Sequence, residues 1–173
     1  MFIQVGRPAP DFSVEVVFND KVSRVSLSDY KGKWVVLFFY PLDFTFVCPT
    51  EIVEMSQKMS EFEKLNAIVL GGSTDSTFSH SAWMKDLGKL NYPLFSDMNR
   101  EMSRNYGILL EEKGHSLRGT FIIDPEGLLR YHLVHDLTVG RSADETLRVL
   151  ASLQTGELCP ANWKKGEKTL GKG

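Results

Sequence analysis

A chain of 173 residues, 42% hydrophobic and 24% charged, can fill one globular core and gives no sign of a second. Its formal net charge of −2 offers no basic face for nucleic acid, so that class of partner is excluded. No apolar run reaches the length of a membrane span. At the N-terminus, Met1-Phe2-Ile3-Gln4-Val5-Gly6-Arg7-Pro8 lacks the cationic start and apolar centre of a signal peptide, and the expected location is the cytoplasm. Residues 12–18 are strand-like, and 22–27 can pair with them across Asn19-Asp20. Tyr30-Lys31-Gly32-Lys33 reads as a turn into a β-branched and aromatic run, 34–40, of the kind that forms a buried strand. Ile52, Met55, Met59, Phe62 and Leu65 recur at helical spacing, which predicts one amphipathic helix from Cys48 to about Leu65.

Residues 67–72 form a short apolar run of the buried-strand type. A helix over 77–85, a connector containing Pro93 and a short helix over 100–106, stopped at Gly107, come next. Asp124-Pro125-Glu126-Gly127 has proline where a turn fixes φ and glycine closing it, so 119–123 and 128–134 should form a hairpin. Ser142-Ala143-Asp144-Glu145 fits a capping box opening a helix that buries Leu147, Leu150 and Leu153. Beyond Gly156 the chain turns irregular. The sum is an α/β fold, a mixed central sheet flanked by helices. Residues 1–155 form the domain, and 156–173 form a C-terminal tail.

Two cysteines in a reducing compartment point to catalysis, redox sensing or metal binding rather than a static disulfide. Cys48 falls at a strand-to-helix junction, where unpaired N–H groups and the positive end of the helix dipole point. Both favour the thiolate, which is the nucleophile. Around it the chain reads Phe39-Tyr40-Pro41-Leu42-Asp43-Phe44-Thr45-Phe46-Val47-Cys48-Pro49-Thr50-Glu51-Ile52. The pattern Pro41-x-x-x-Thr45-x-x-Cys48 resembles the active-site motif of the peroxiredoxins, and its continuation through Thr50-Glu51 resembles their typical 2-Cys group. Other stretches are similar too: Ser73-Thr74-Asp75-Ser76 through His80 and Trp83, Arg118-Gly119-Thr120-Phe121-Ile122-Ile123-Asp124, Val139-Gly140-Arg141-Ser142, and Glu157-Leu158-Cys159-Pro160-Ala161-Asn162-Trp163.

The resemblance implies a thioredoxin-like fold and a thiol-dependent peroxidase for hydrogen peroxide and organic hydroperoxides, with no cofactor and no metal. By the same resemblance Cys48 is peroxidatic, Thr45 presents its hydroxyl to the peroxide, and Arg118 holds positive charge beside the sulfur. Pro41 shields the pocket, and Glu51 and Arg141 orient Arg118. Thr45 could equally serve as the helix N-cap. The sulfenic acid formed on Cys48 can condense with a second thiol. The resemblance makes that thiol Cys159 of the neighbouring subunit in an antiparallel homodimer, although sequence separation alone allows inter- or intrachain pairing. It also implies a decameric ring, with Phe44 and residues 77–83 at the contact between dimers. Thioredoxin or a flavin-dependent disulfide reductase would reduce the disulfide. In peroxide-sensitive members a Gly-Gly-Leu-Gly segment stands where this chain has Asp86-Leu87-Gly88-Lys89, and a C-terminal Tyr-Phe pair is absent before Gly173. The expected enzyme therefore resists overoxidation.

Competing readings are weaker. A dithiol oxidoreductase needs Cys-x-x-Cys, and the corresponding place reads Cys48-Pro49-Thr50-Glu51. His80 or His115 could partner Cys48 in a hydrolase, but the helix terminus and Arg118 already explain an activated sulfur. His132 and His135 are three apart on a strand and face opposite ways, which argues against a shared metal. Phe44, Phe78 and Trp83 could be core. A ring-forming chaperone-like holdase is compatible with the peroxidase and needs no separate motif.

Overall fold

The computed structural model describes residues 3–173. β1 (Ser13–Phe18) and β2 (Lys21–Ser26) form the expected hairpin. Asn19 and Asp20 take φ values of 50° and 58°, the left-handed pair that lets a two-residue turn follow the strand twist. A single 3-10 turn (Leu27–Tyr30) leads to β3 (Trp34–Phe39). β3 lacks polar alternation because both its faces are covered. Val36 and Phe38 enter one half of the core, and Val35, Leu37 and Phe39 enter the other.

The helix after β3 is broken. α1 (Cys48–Gln57) ends at Lys58, whose φ and ψ of −91° and 1° leave the helical basin, and α2 (Met59–Lys64) starts afresh. The single helix expected over 48–65 is thus corrected to two. Periodicity could not reveal the break, because Met55, Met59 and Phe62 all bury in the same core across it. β4 (Ala67–Ser73) runs parallel to β3. Its Gly71 and Gly72 are required by close packing: a Cβ on Gly71 would come 2.5 Å from the Phe38 ring, and one on Gly72 would overlap the Phe95 carbonyl.

α3 (Thr77–Leu87) follows, and the stretch after Pro93 is not a plain connector. It contains β5 (Leu94–Ser96), which inserts between β1 and β4. α4 (Glu101–Asn105) precedes a two-residue hairpin, β6 (Leu109–Leu110) with β7 (His115–Ser116). Strands this short carry no readable alternation. β8 (Arg118–Ile123) and β9 (Leu129–His135) form the predicted hairpin, and β8 lies antiparallel to β3. The order β2-β1-β5-β4-β3-β8-β9 gives a seven-stranded mixed sheet.

α5 (Ala143–Gln154) covers α1 and α2. The Ser142 hydroxyl accepts from the Glu145 N–H at 3.1 Å, but the Glu145 carboxylate turns to Arg148 at 2.6 Å, so only half of the capping box forms. Leu147 and Leu150 are buried and Leu153 partly so. Near its start Asp144 meets Lys58 at 2.9 Å, and at its end Gln154 donates to the Leu65 carbonyl. The helix therefore runs from the α1 end of the molecule to the far edge of the sheet. The tail beyond it has no helix or strand yet is anchored. Leu158 exchanges backbone bonds with Gly171 (2.9 Å) and Leu170 (2.8 Å), and Trp163 is buried.

Candidate active site

Three segments converge at the C-terminal edge of β3. The loop over 41–47 delivers Cys48 as the first residue of α1. Pro49 follows in the first turn, where a missing N–H leaves nothing unsatisfied. Arg118 opens β8, which lies beside β3, and Arg141 stands just before α5. Cys48 is fully buried, and both cysteines are reduced.

Arg118 Nη1 donates to Cys48 Sγ at 3.4 Å and to Glu51 Oε2 at 2.7 Å, while its Nε donates to the Leu137 carbonyl at 2.9 Å. The Arg141 fork grips the same carboxylate, Nε to Oε1 at 2.8 Å and Nη2 to Oε2 at 3.0 Å, and its backbone N–H adds a bond to Oε1 at 2.8 Å. Arg141 is fixed in turn by the Gly119 carbonyl at 2.7 Å and by the Phe38 ring beneath its guanidinium, 5.4 Å from centroid to Cζ. Burial pushes the Glu51 carboxyl up, but the bonds and charge of Arg141, with the charge of Arg118, outweigh it and leave the group below its ordinary value.

Pro41 is buried at the rim. The Thr45 hydroxyl donates to the Leu42 carbonyl at 3.0 Å. The helix N-cap is Val47, without a side-chain bond, so the capping role open to Thr45 goes unfilled. Arg118, Glu51 and Arg141 are thus gathered on Cys48, with Thr45 three residues before it. Cys159 is not part of this cluster. Its sulfur lies 3.4 Å from the Thr155 hydroxyl and 3.8 Å from the Ser152 carbonyl, at the far end of α5.

His80 makes no contact with Cys48; it bonds Asp43 and the Phe95 carbonyl. Trp83 is buried, but Phe44 and Phe78 are exposed, so the core alternative fails for those two. Phe46, 96% exposed, joins them and was not anticipated. Two further contacts had no sequence signature. The Leu137 carbonyl holds Arg118, and the Tyr92 hydroxyl donates to the Ile52 carbonyl of α1 at 2.9 Å.

The chain is similar to known proteins over nearly its whole length. The AhpC/TSA family pattern matches residues 5–132, and the pattern for the C-terminal domain of 1-Cys peroxiredoxin matches 151–171. A chloroplastic 2-Cys peroxiredoxin of Spinacia oleracea is 54% identical over 177 residues, covering 96% of this chain and 67% of that protein. The reduced 2-Cys peroxiredoxin of Plasmodium vivax superposes with a TM-score of 0.92 at 39% identity, over 95% of this chain and 91% of that one. Enterococcus faecalis AhpC gives 0.87 at 35% identity, over 92% and 100%.

Proposed function

Because the chain belongs to the AhpC/TSA family of peroxiredoxins and is a thiol-dependent peroxidase, we propose that Cys48 is its peroxidatic nucleophile and Cys159 its resolving thiol. The observation that carries this is the single Arg118 nitrogen bonded to both Cys48 Sγ and Glu51. It sets a fixed cation and an N–H donor on a sulfur at a helix start, the surroundings a thiolate needs. The sulfur attacks one peroxide oxygen. An S–O bond forms, the O–O bond breaks, and the departing oxygen leaves as hydroxide or alkoxide and takes up a proton.

Donors must meet the charge that builds on both oxygens. Arg118 Nη2 has no protein partner, and no unpartnered side-chain nitrogen or oxygen is buried among the described residues, so this donor opens onto solvent. The Thr45 proton is committed to Leu42, so its oxygen offers lone pairs and accepts from the peroxide O–H. Pro41 limits water at the rim.

Cys159 then attacks the Cys48 sulfenic acid, forming the disulfide and releasing water. The bond is intersubunit in this reading, and the support is positional. Cys48 follows the C-terminal end of β3, whereas Leu65 and Asn66, beside the end of α5, lie at its start. The two edges are about 20 Å of strand apart. Disulfide geometry needs Cα atoms within about 7 Å, which a second copy can supply. The exposed side chains of Phe44, Phe46 and Phe78 are available for a further contact that builds dimers into a ring. Thioredoxin or a flavin-dependent disulfide reductase recycles the enzyme in the cytoplasm. With Asp86-Leu87-Gly88-Lys89 in place of the Gly-rich segment of sensitive members, the enzyme resists overoxidation.

The test is peroxide consumption with a thioredoxin system, followed by a non-reducing gel. Cys48→Ser should be inactive. Cys159→Ser should complete one turnover and stall, and wild type treated with one equivalent of peroxide should run as a covalent dimer. Activity surviving in Cys48→Ser would remove the nucleophile from this reading, and a monomeric disulfide would remove the intersubunit bond. Sulfinic acid on Cys48 by mass spectrometry, at sub-millimolar peroxide with reductant present, would refute robustness.

A further inference from the structure

Behind the 41–47 loop lies a buried polar cluster that none of these steps uses. The side chains of Asp43 and His80 are 1% and 0% exposed. The His80 ring meets an oxygen at each nitrogen: Nε2 lies 2.9 Å from the Phe95 carbonyl and Nδ1 lies 2.8 Å from Asp43 Oδ2. A carbonyl only accepts, so Nε2 carries a hydrogen. Both Asp43 oxygens already accept from hydroxyls, Oδ1 from Tyr40 at 2.8 Å and Oδ2 from Ser79 at 2.7 Å, which is the role of a carboxylate. The Tyr40 hydroxyl also stands 3.3 Å from Nδ1, so Asp43, His80, Tyr40 and Ser79 form one buried hydrogen-bonded network in which every polar atom has a partner. A second carboxylate, Asp75, closes the cluster, accepting from the Asp43 backbone N–H at 2.9 Å and from Ser73 at 2.6 Å.

Asp43 is therefore nailed to α3 through its side chain and to the end of β4 through its backbone. The next residue, Phe44, has a φ of 54°, a left-handed conformation that a bulky side chain keeps only where its surroundings impose it. Thr45 follows and closes the turn on the Leu42 carbonyl. The turn pivots on Asp43, and Thr45 is its outer arm.

We propose that the buried Asp43–His80 pair is a positioning device for the peroxide reaction, holding the strained 42–45 turn against α3 so that Thr45 keeps its lone pairs toward the substrate. This rests on the reading of Cys48 as peroxidatic and Thr45 as a substrate contact. His80 acts only through Asp43 and touches no reacting atom.

Two measurements test it. In protein labelled with 15N-histidine, the Nε2 proton of His80, bonded to the Phe95 carbonyl, should be observable and exchange slowly with solvent; rapid exchange overturns the buried pair. Second, Cys48 in wild type, His80→Phe and His80→Asn is reacted separately with hydrogen peroxide and with iodoacetamide. Thr45 serves the peroxide but not the alkylating agent. His80→Phe should slow the peroxide step on the order of 10- to 100-fold, the scale of a misplaced substrate contact, with alkylation unchanged. His80→Asn, which keeps a donor near Nδ1, should recover most of the rate. Equal peroxide rates in His80→Phe and wild type, or parallel loss of both reactions, overturn the proposal. Tyr40→Phe, which removes the Oδ1 donor and the hydroxyl 3.3 Å from His80 Nδ1 but leaves the Asp43–His80 contact itself, should show a smaller selective loss and decides the matter where His80→Phe does not fold. A wild-type Cys48 inert to peroxide would instead overturn the peroxidase mechanism and leave the histidine result standing.

Discussion

Glu51 binds two guanidinium groups with one carboxylate, so the trio keeps one net positive charge beside the Cys48 sulfur. Removing Arg118 deletes both that charge and the donor to sulfur. Arg118→Ala should slow Cys48 oxidation about 10²–10³-fold in a rapid-mixing assay. Arg118→Lys should fall between, since an ammonium restores the charge but not the fork. Glu51 gives a pH signature. Its carboxyl is depressed in the folded protein, so its contribution to stability is complete above the ordinary value of about 4.3 and is lost as pH falls through the lower folded one. Thermal melts across this acid range should show a steeper slope in wild type than in Glu51→Gln. The charged members of this site were readable because motif spacing names side chains. Leu137 was not, since it contributes a backbone carbonyl that any residue carries. Phe44 and Phe78 read as either core or surface contact because an apolar side chain in a loop or first helical turn does not declare which way it faces; both are exposed.

Within α1, the turn bearing Cys48 and the turns after it are held differently. Tyr92 donates to the Ile52 carbonyl, and Asn91 bonds Ser56 twice, at 3.0 and 3.2 Å. Thr50, by contrast, is exposed. Cys48, buried in the first turn of α1, cannot meet Cys159 where it stands, so the proposed disulfide requires that turn to unwind, and the unwinding should stop at these clamps. Amide exchange in the disulfide form should accelerate over 48–51 and stay slow over 53–57, by mass spectrometry against the thiol form. Tyr92→Phe, which forfeits a bond worth about 0.5–1.5 kcal/mol, should extend the fast region into 52–57. Slower exchange at 48–51 in the disulfide form would contradict the mechanism. The break at Lys58 limits the unwinding further, because α2 is a separate element that need not follow. Sequence pattern announced a helix here but not its interruption. Periodicity reports which face is buried, and that face runs on through the break. For the same reason β5, β6 and β7 were invisible while β3, β4, β8 and β9 were plain.

At the scale of the whole molecule, Phe46 and Phe78 stand 96% and 85% exposed, and Phe44 is exposed as well. The proposed ring contact through these side chains predicts that Phe46→Asp shifts the reduced protein to smaller species in sedimentation velocity; an unchanged profile would remove Phe46 from that contact. The separation of the two sulfurs carries a different consequence. In the proposed reading Cys48 lies at one edge of the sheet and Cys159 near the other, and neither chain completes the chemistry by itself. Turnover should therefore depend on how often subunits meet. Diluted beyond the point where they associate, the protein should still take its first oxidation at full speed and then halt, leaving an oxidised sulfur available to other thiols in solution. A peroxidase arranged this way would become a relay when scarce.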